Sequence, residues 1–244
     1  MNTFQELSAT VGSWLRPAPR RAPLTLEVAW SRVLPKVRPW PTYQRFSRLD
    51  PERAPEVQDL GGDFGQSLVL VFPNAEVEVT SAHLRAWGQD FQGLMNQARI
   101  NLLKLGEADR FRRSRFGFYQ STWGDELDGS RILLPGVLRQ LPLNGAPVVF
   151  LPRRDVLLVA GSEDPEGLGA ACEGALQLRD SGPEGWPCAP MCLNGFRWEP
   201  LQWAEGHPAG PALVRARGRR LAADPIPSRS AGPCSVSPAT SSVA

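Results

Sequence analysis

The sequence predicts an α+β protein, with a mostly antiparallel sheet built from two similar ββα units and helices packed on one face. Each unit has an apolar strand, a turn that begins at a proline, a second strand and a capped helix. The turn prolines are Pro73 and Pro152, and an acidic residue follows each at the same spacing, Glu76 and Asp155. Hairpins followed by helices are typical of α+β proteins. The sequence leaves open whether the two units share one sheet.

The first unit begins with residues 68–72, which are apolar throughout, as in a buried strand. Residues 76–79 then alternate charged and apolar side chains, as in a strand with one solvated face. Thr80 or Ser81 can cap the next helix through a side-chain oxygen. A longer helix begins at Asp90, because the apolar residues after it recur at helical spacing.

The second unit follows a helix that the apolar spacing predicts over residues 133–141. Residues 147–151 form an apolar strand, a tight turn follows, and residues 155–160 form a second strand. The acidic residues within 163–166 suit the first turn of the helix that comes next. Cys172 falls on the apolar face of that helix, where we expect it to act as a small hydrophobic residue.

The chain divides into three predicted parts. Residues 1–56 form a Pro-rich N-terminal helix, with helical apolar spacing over 3–15, and an extended arm, because the prolines within 38–46 favour extended backbone. Residues 57–214 form the α+β domain. Residues 215–244 are rich in Arg, Ala, Pro and Ser, and they have too few apolar residues to offset the entropy of ordering. We therefore expect a disordered basic tail.

Three shorter segments have weaker patterns. Residues 24–37 are compatible with a strand or with a helix, and the polar, Gly-containing residues 50–65 indicate a loop. Asn194-Gly195 is the signature of a tight hairpin turn. It predicts a small terminal hairpin on the body of the domain.

Composition narrows the class of protein. The formal net charge is +2 and residues 215–244 carry +4, so the rest of the chain has no excess of positive charge that would argue for a nucleic-acid or acidic partner. No apolar stretch is long enough to span a bilayer, and the N-terminus does not resemble a signal peptide, so we expect a cytoplasmic protein. The four cysteines and two histidines do not predict a disulfide framework, a metal site or a cofactor.

Several motifs occur in an order that resembles a known family. They are Trp87-Gly88, Ala98-x-x-Asn101-Leu102, Asp128-x-Ser130-Arg131-x-Leu133-Leu134, Val148-Val149 and Pro152-x-x-Asp155-Val156-Leu157. On these motifs, roughly residues 57–200 resemble the YtpQ-like family of uncharacterised bacterial proteins. The chain departs from the family pattern at Arg153, where the family has Asn. The resemblance implies a bacterial α+β protein, and it implies no activity because none is established for the family.

Six polar residues are candidates for ligand binding: Asp128, Ser130, Arg131, Arg153, Asp155 and Asn101. In one interpretation the arginines line a pocket and offer their planar forks to a carboxylate or phosphate. In the other, Asp128 and Ser130 cap a helix, Asp155 closes the turn, and an arginine pairs with Asp155. The amide of Asn101 lies on an apolar helical stripe, where it either binds a loop carbonyl or lines a polar pocket.

A basic run with interleaved aromatic residues is the remaining functional signal. Arg110, Arg112, Arg113 and Arg115 could bind single-stranded nucleic acid together with aromatic rings. However, Phe116 and Phe118 alternate as in a strand, which predicts that they lie in a core, so we do not expect a nucleic-acid partner.

The sequence contains none of the common catalytic motifs, and it predicts no catalytic residue. We therefore expect a non-catalytic binding or protein-interaction module, whose partner is an unknown protein or an anionic small molecule. The alternative is an enzyme of unassigned class that acts on an anionic small molecule through Ser130, Arg131, Arg153 and Asp155.

Overall fold

The computed structural model describes residues 24–106, 110–182 and 185–218. Within these ranges the chain has seven α-helices and ten strands, and all strand pairs are antiparallel. The predicted α+β class is thus confirmed. The predicted helix over 3–15 and residues 219–244 of the predicted tail, including Cys234, lie outside the described residues.

The first part of the described chain builds a four-stranded sheet. Its elements are α1 (Leu26–Arg32), β1 (Val33–Pro39), α2 (Trp40–Leu49), β2 (Val57–Gly61), β3 (Phe64–Phe72), β4 (Ala75–Glu78), α3 (Ser81–Trp87) and α4 (Phe91–Lys104). The central strand is β3, which pairs with β1 along one side and with β2 and β4 along the other. The first predicted hairpin, β3–β4, therefore belongs to this sheet.

The second part builds a six-stranded sheet. Its elements are β5 (Phe111–Arg113), β6 (Tyr119–Ser121), a 3₁₀ helix (Gly129–Leu133), α5 (Pro135–Leu138), β7 (Pro147–Arg153), β8 (Val156–Gly161), α6 (Pro165–Asp180), β9 (Met191–Asn194), β10 (Arg197–Pro200) and α7 (Gly210–Gly218). The strand order is β10-β9-β7-β8-β6-β5. The two ββα units thus lie in different sheets, and the predicted terminal hairpin, β9–β10, extends the second sheet.

The second sheet is buried on both faces. Val149, Leu157 and neighbouring residues on one face share a hydrophobic core with β1, β3 and α4 of the first part. Phe150 and Leu158, on the opposite face, pack with α6 and α7 in a second core. Because side chains alternate along a strand, consecutive residues of β7 and β8 reach different cores. This explains why both strands are apolar throughout.

Part of the predicted N-terminal arm is integral to the first sheet. Residues 24–37 contain both predicted alternatives, since α1 runs directly into β1, and β1 pairs with β3 along its whole length. The extended conformation predicted within 38–46 is wrong, because α2 begins at Trp40. Pro41 lies in the first turn of α2, where a missing N–H costs no helical hydrogen bond.

Two further expectations are corrected by the same packing. The loop predicted over 50–65 contains β2 and the start of β3. Residues 215–218, predicted to be disordered, form the end of α7, whose small apolar side chains at Ala212 and Ala216 are buried against α6. Alanine and arginine both favour helices, so a segment without large apolar residues can still pack as a helix.

Gly161→Ala should lower the free energy of unfolding by about 2–3 kcal/mol, because overpacking forces backbone to move. A β-carbon at this position would overlap the carbonyl oxygen of Asn144 and lie 2.8 Å from its backbone nitrogen. Gly136→Ala is the matched control. Apart from its chain neighbours and the backbone of its own helix, no described atom lies within 4 Å of a β-carbon at Gly136, which is in α5, so this change should be neutral or stabilising. Urea denaturation measures both, and equal effects would contradict the tight packing at Gly161.

Candidate functional site

The 3₁₀ helix is buried throughout and connects the two sheets through backbone and hydroxyl hydrogen bonds. The backbone N–H of Val37, in β1, donates to Ser130 Oγ at 3.1 Å. The N–H of Gly129 donates to the carbonyl oxygen of Arg154, in the turn between β7 and β8, at 3.0 Å. We call residues 128–132 with these contacts the inter-sheet junction.

A third strand contacts the inter-sheet junction at its C-terminal end. The indole Nε1 of Trp198, in β10, donates to the carbonyl oxygen of Ile132 at 3.1 Å. The helix predicted over 133–141 is confirmed only for the four residues of α5, since the 3₁₀ helix ends at Leu133. Pro135 has no N–H to donate to the carbonyl of Arg131, and the 3₁₀ helix and α5 are separate elements on either side of Leu134.

Asp128 is completely buried, and its carboxylate organises the loop that precedes the inter-sheet junction. It accepts hydrogen bonds from the backbone N–H groups of Trp123 at 3.2 Å and Gly124 at 3.0 Å. Its side chain makes no cap hydrogen bond to the 3₁₀ helix. The predicted capping role of Asp128 and Ser130 is therefore wrong, because Asp128 holds an upstream loop and Ser130 holds β1.

The guanidinium of Arg131 is occupied on its edge and on its face. Two N–H groups form a fork with the carboxylate of Asp125, at 2.8 and 2.7 Å, and the group stacks 4.1 Å from the ring centre of Trp123. The Arg131 side chain is 2% exposed, whereas that of Asp125 is 34% exposed. Burial disfavours the ionised carboxyl, but the hydrogen bonds and charge of Arg131 outweigh burial and lower the pKa of Asp125.

Arg153, the last residue of β7, pairs with Asp155, in the turn between β7 and β8. Arg153 donates to both carboxylate oxygens of Asp155, at 3.0 and 2.7 Å, and each side chain is about one-third exposed. The hydrogen bonds from Arg153 lower the pKa of Asp155. The interpretation in which an arginine pairs with Asp155 is confirmed for Arg153. Arg131 pairs with Asp125 instead.

The structure therefore brings five of the six predicted residues to one region but gives them separate partners. The Gly129–Arg154 backbone bond joins the two motifs, while Arg131 and Arg153 form forks with different carboxylates. Asn101 lies with α1, where its Nδ2 donates to the carbonyl oxygens of Trp30 and Val33 at 3.0 and 2.9 Å. These bonds confirm that Asn101 binds backbone carbonyls. A ligand-binding role for the six residues stays a prediction.

A second surface combines positive charge with an open sheet edge. Residues 110–121, which we call the basic hairpin, contain β5 and β6 and end the second sheet, because among the described strands β5 pairs only with β6. Four arginines of this hairpin are exposed: Arg110, Arg112, Arg113 and Arg115. Phe116, which we expected in a core, is 41% exposed at its tip. The sequence signal for this surface was the arginine run itself, but its location on an edge follows only from strand pairing.

Among the described residues, the arginines of the basic hairpin lack the carboxylate partners that buried basic side chains of the protein have. Lys36, Arg38 and Arg131 each pair with a carboxylate. Within the described part of the chain, none of the four hairpin arginines forms an ion pair. The guanidinium carbons of Arg113 and Arg115 lie over rings of their own hairpin, 6.0 and 4.6 Å from the ring centres of Tyr119 and Phe116. Stacking covers the face of a guanidinium and leaves its in-plane N–H groups available.

Clefts, potential metal ligands and cysteines elsewhere in the described chain give weaker indications of a functional site. Two shallow clefts lie beside α7, and Pro208 and Pro211 line both of them. No group of three His, Cys, Asp or Glu side chains in the described ranges is arranged to hold a metal ion. Cys172 is buried, as predicted, and burial raises its pKa to about 12, so its thiol is a poor nucleophile. None of the described helices is both long and apolar enough to cross a membrane.

Comparisons with protein-family models, with curated proteins and with solved structures found no match to this chain. The resemblance to the YtpQ-like family therefore stays a prediction that rests on the quoted motifs.

Arg131→Met should lower the free energy of unfolding by about 2–3 kcal/mol. The variant loses the contact with the Trp123 ring and leaves the partly buried carboxylate of Asp125 without its positive partner. Arg153→Met should cost about 1 kcal/mol or less, since both members of its pair are partly exposed. Urea denaturation of the two variants measures the difference. If Arg131→Met lowers the free energy of unfolding by no more than Arg153→Met does, the structural role of Arg131 is contradicted. A ligand-binding role for the wild-type guanidinium would then be favoured.

Acid should weaken the Asp125–Arg131 pair in a defined pH range. The pKa of Asp125 is lower in the folded protein than its ordinary value of 3.8, so its stabilisation is complete above pH 3.8 and is lost as pH falls through the folded pKa. The difference in unfolding free energy between wild type and Asp125→Asn should be constant at higher pH and shrink below 3.8. In an Arg131→Met background the difference should change much less with pH. The same pH dependence in both backgrounds would contradict the pairing.

Proposed function

We propose that this protein is a non-catalytic binding module that holds an acidic segment of a partner protein, and that the basic hairpin is its binding surface. The observation that carries the proposal is the set of four exposed arginines at the end of the second sheet, none of which has a carboxylate partner among the described residues. A carboxylate matches the planar fork of a guanidinium, with two parallel N–H···O hydrogen bonds.

The ligand-binding candidates at the inter-sheet junction are buried and already have hydrogen-bond partners, which favours a binding surface elsewhere. Asp128, Ser130 and Arg131 are at most 3% exposed, and each makes a hydrogen bond that holds a loop or a strand. A ligand at Arg131 would have to displace Asp125 from a bidentate pair. The basic hairpin requires no such exchange, because its arginines are already exposed to solvent.

The aromatic residues of the hairpin favour a protein partner over a nucleic acid. Binding of single strands relies on bases that stack on exposed rings. Tyr119 is only 6% exposed, and Arg115 already stacks on the ring of Phe116. The near-neutral net charge of the chain also gives little long-range attraction for a polyanion, so we expect the local arginines to select a short acidic segment.

The setting of this module is part of the same proposal. We propose that it acts in the bacterial cytoplasm as a member of the YtpQ-like family. The motifs quoted above support the family. The free thiols of Cys172, Cys188 and Cys192 are compatible with a reducing compartment.

Peptides of about ten random residues, selected by phage display on the full chain, should be enriched in Asp and Glu. The triple variant Arg112→Glu, Arg113→Glu and Arg115→Glu should bind the enriched peptides at least about tenfold more weakly than the wild type, because electrostatic attraction becomes repulsion. Affinity is measured by fluorescence anisotropy. Raising the salt concentration from about 0.05 to 0.5 M should also weaken binding, since exposed charges are screened.

The matched control reverses three exposed arginines elsewhere, Arg45→Glu with Arg85→Glu and Arg197→Glu, and thus makes the same change in net charge. This control should bind the peptides as the wild type does. The proposal fails if no acidic peptide is enriched or if both triple variants lose binding equally. Tighter binding of a single-stranded oligonucleotide, lost only in the hairpin variant, would replace the protein partner with a nucleic acid.

A further inference from the structure

The mode of binding can be inferred from the backbone of β5, and this inference rests on the proposed function. We infer that the acidic segment binds as an added strand, which pairs with β5 and extends the second sheet. In β-strand addition, main-chain hydrogen bonds supply affinity and side chains at alternate positions supply specificity. The edge position of β5 and the charge of its side chains provide both components on one short element.

The hydrogen-bond pattern of the hairpin identifies the backbone groups that face the open edge. The N–H of Thr122 donates to the carbonyl of Arg110 at 2.9 Å, and the N–H of Ser114 donates to the carbonyl of Phe118 at 2.8 Å. In an antiparallel pair, hydrogen-bonded and non-hydrogen-bonded positions alternate. Phe111 and Arg113 therefore lie at positions whose N–H and C=O groups point away from β6. Their four backbone groups form the docking edge.

The side chains of β5 define the chemistry of the added strand. Arg113 lies opposite Tyr119 and contacts its ring on one face of the sheet, so the adjacent Arg112 projects from the other face. Consecutive residues of an added strand also project to opposite faces. A segment with two adjacent acidic residues therefore places one carboxylate near each arginine. We infer that the partner contains such a pair within an extended segment.

The docking edge packs against an aromatic residue that contacts the inter-sheet junction. The ring of Phe111 packs edge-on against Trp123, with 5.1 Å between ring centres, and Trp123 stacks on Arg131 at the inter-sheet junction. An ordered edge costs less entropy to bind than a flexible one. A short charged edge strand can also serve only to prevent self-association of sheets, and this alternative gives a different experimental result.

Backbone N-methylation of the best acidic peptide from the selection tests the inference. Methylation at one alternate set of peptide residues removes the N–H groups that face β5 and should weaken binding about tenfold or more. Methylation at the other set removes N–H groups that face solvent and should leave affinity within about twofold. Equal effects of the two sets, with binding still dependent on the arginines, would overturn strand addition and leave the proposed function intact.

A pair of substitutions makes the same test from the side of the protein. Arg113→Ala removes the charge but keeps the outward N–H, whereas Arg113→Pro removes both without breaking a bond to β6. Arg113→Pro should bind the peptide about fivefold or more weakly than Arg113→Ala. Equal affinity of the two variants would contradict strand addition. Unchanged circular dichroism and urea unfolding curves verify that both variants are folded.

Hydrogen exchange locates the bound peptide. The amides of Phe111 and Arg113 should exchange about tenfold more slowly with saturating acidic peptide, whereas the amide of Arg112, at a position already bonded to β6, should change little. If exchange slows elsewhere and not at these two amides, the peptide binds another surface. Concentration-dependent association of the triple hairpin variant without peptide binding by wild type would show that the arginines only protect the edge, and the proposed function would fail as well.

Discussion

The arrangement of the two sheets depends on the buried hydrogen bonds of the inter-sheet junction, the 3₁₀-helical segment that lies between them. The inter-sheet junction accepts a hydrogen bond from β1, donates one to the β7–β8 turn and accepts one from β10. Each bond contributes only about 1 kcal/mol net, but a buried polar group without its partner costs about 1–3 kcal/mol. Hydrophobic packing alone tolerates small shifts of one sheet over the other. The junction tolerates them much less, because any shift would break several buried bonds together.

The two groups of arginines show how the same side chain serves opposite needs. Arg38 and Arg131 are buried, and each has a carboxylate and at least one aromatic ring as neighbours. Arg112 and Arg113 are exposed on β5, a strand of three residues. Neither is buried in the core, and neither pairs with a carboxylate among the described residues. Removing the carboxylate partner of a buried arginine leaves an uncompensated buried charge, which is strongly destabilising. An exposed arginine carries no such penalty, because water solvates its charge.

Short-range signals in the sequence predicted where several helices begin. The cap at Thr80 was predicted, because its side-chain oxygen acts within three residues. The helix starts near Asp90 and Asp164 were also predicted, and the structure shows that both side chains cap their helices. Separate sheets could not be predicted, because the bond that fixes their arrangement joins residues 93 positions apart. The start of α2 was missed because proline signals both extended backbone and a helical first turn. Asp128, Ser130 and Arg131 were predicted as ligand-binding candidates, and the structure shows that they are buried. Polar residue type in a sequence does not distinguish a ligand site from a buried structural contact.

The basic hairpin connects these two levels of organisation. Its arginine run was visible in the sequence, yet whether a run lies on an edge or within a sheet depends on long-range pairing. The structure places it at the edge and joins it to the junction through Phe111, Trp123 and Arg131, in successive ring contacts. A strand added to β5 would therefore continue a sheet whose orientation the junction fixes. On this view Arg131 supports binding without contacting the partner, because it holds the indole on which the edge strand packs.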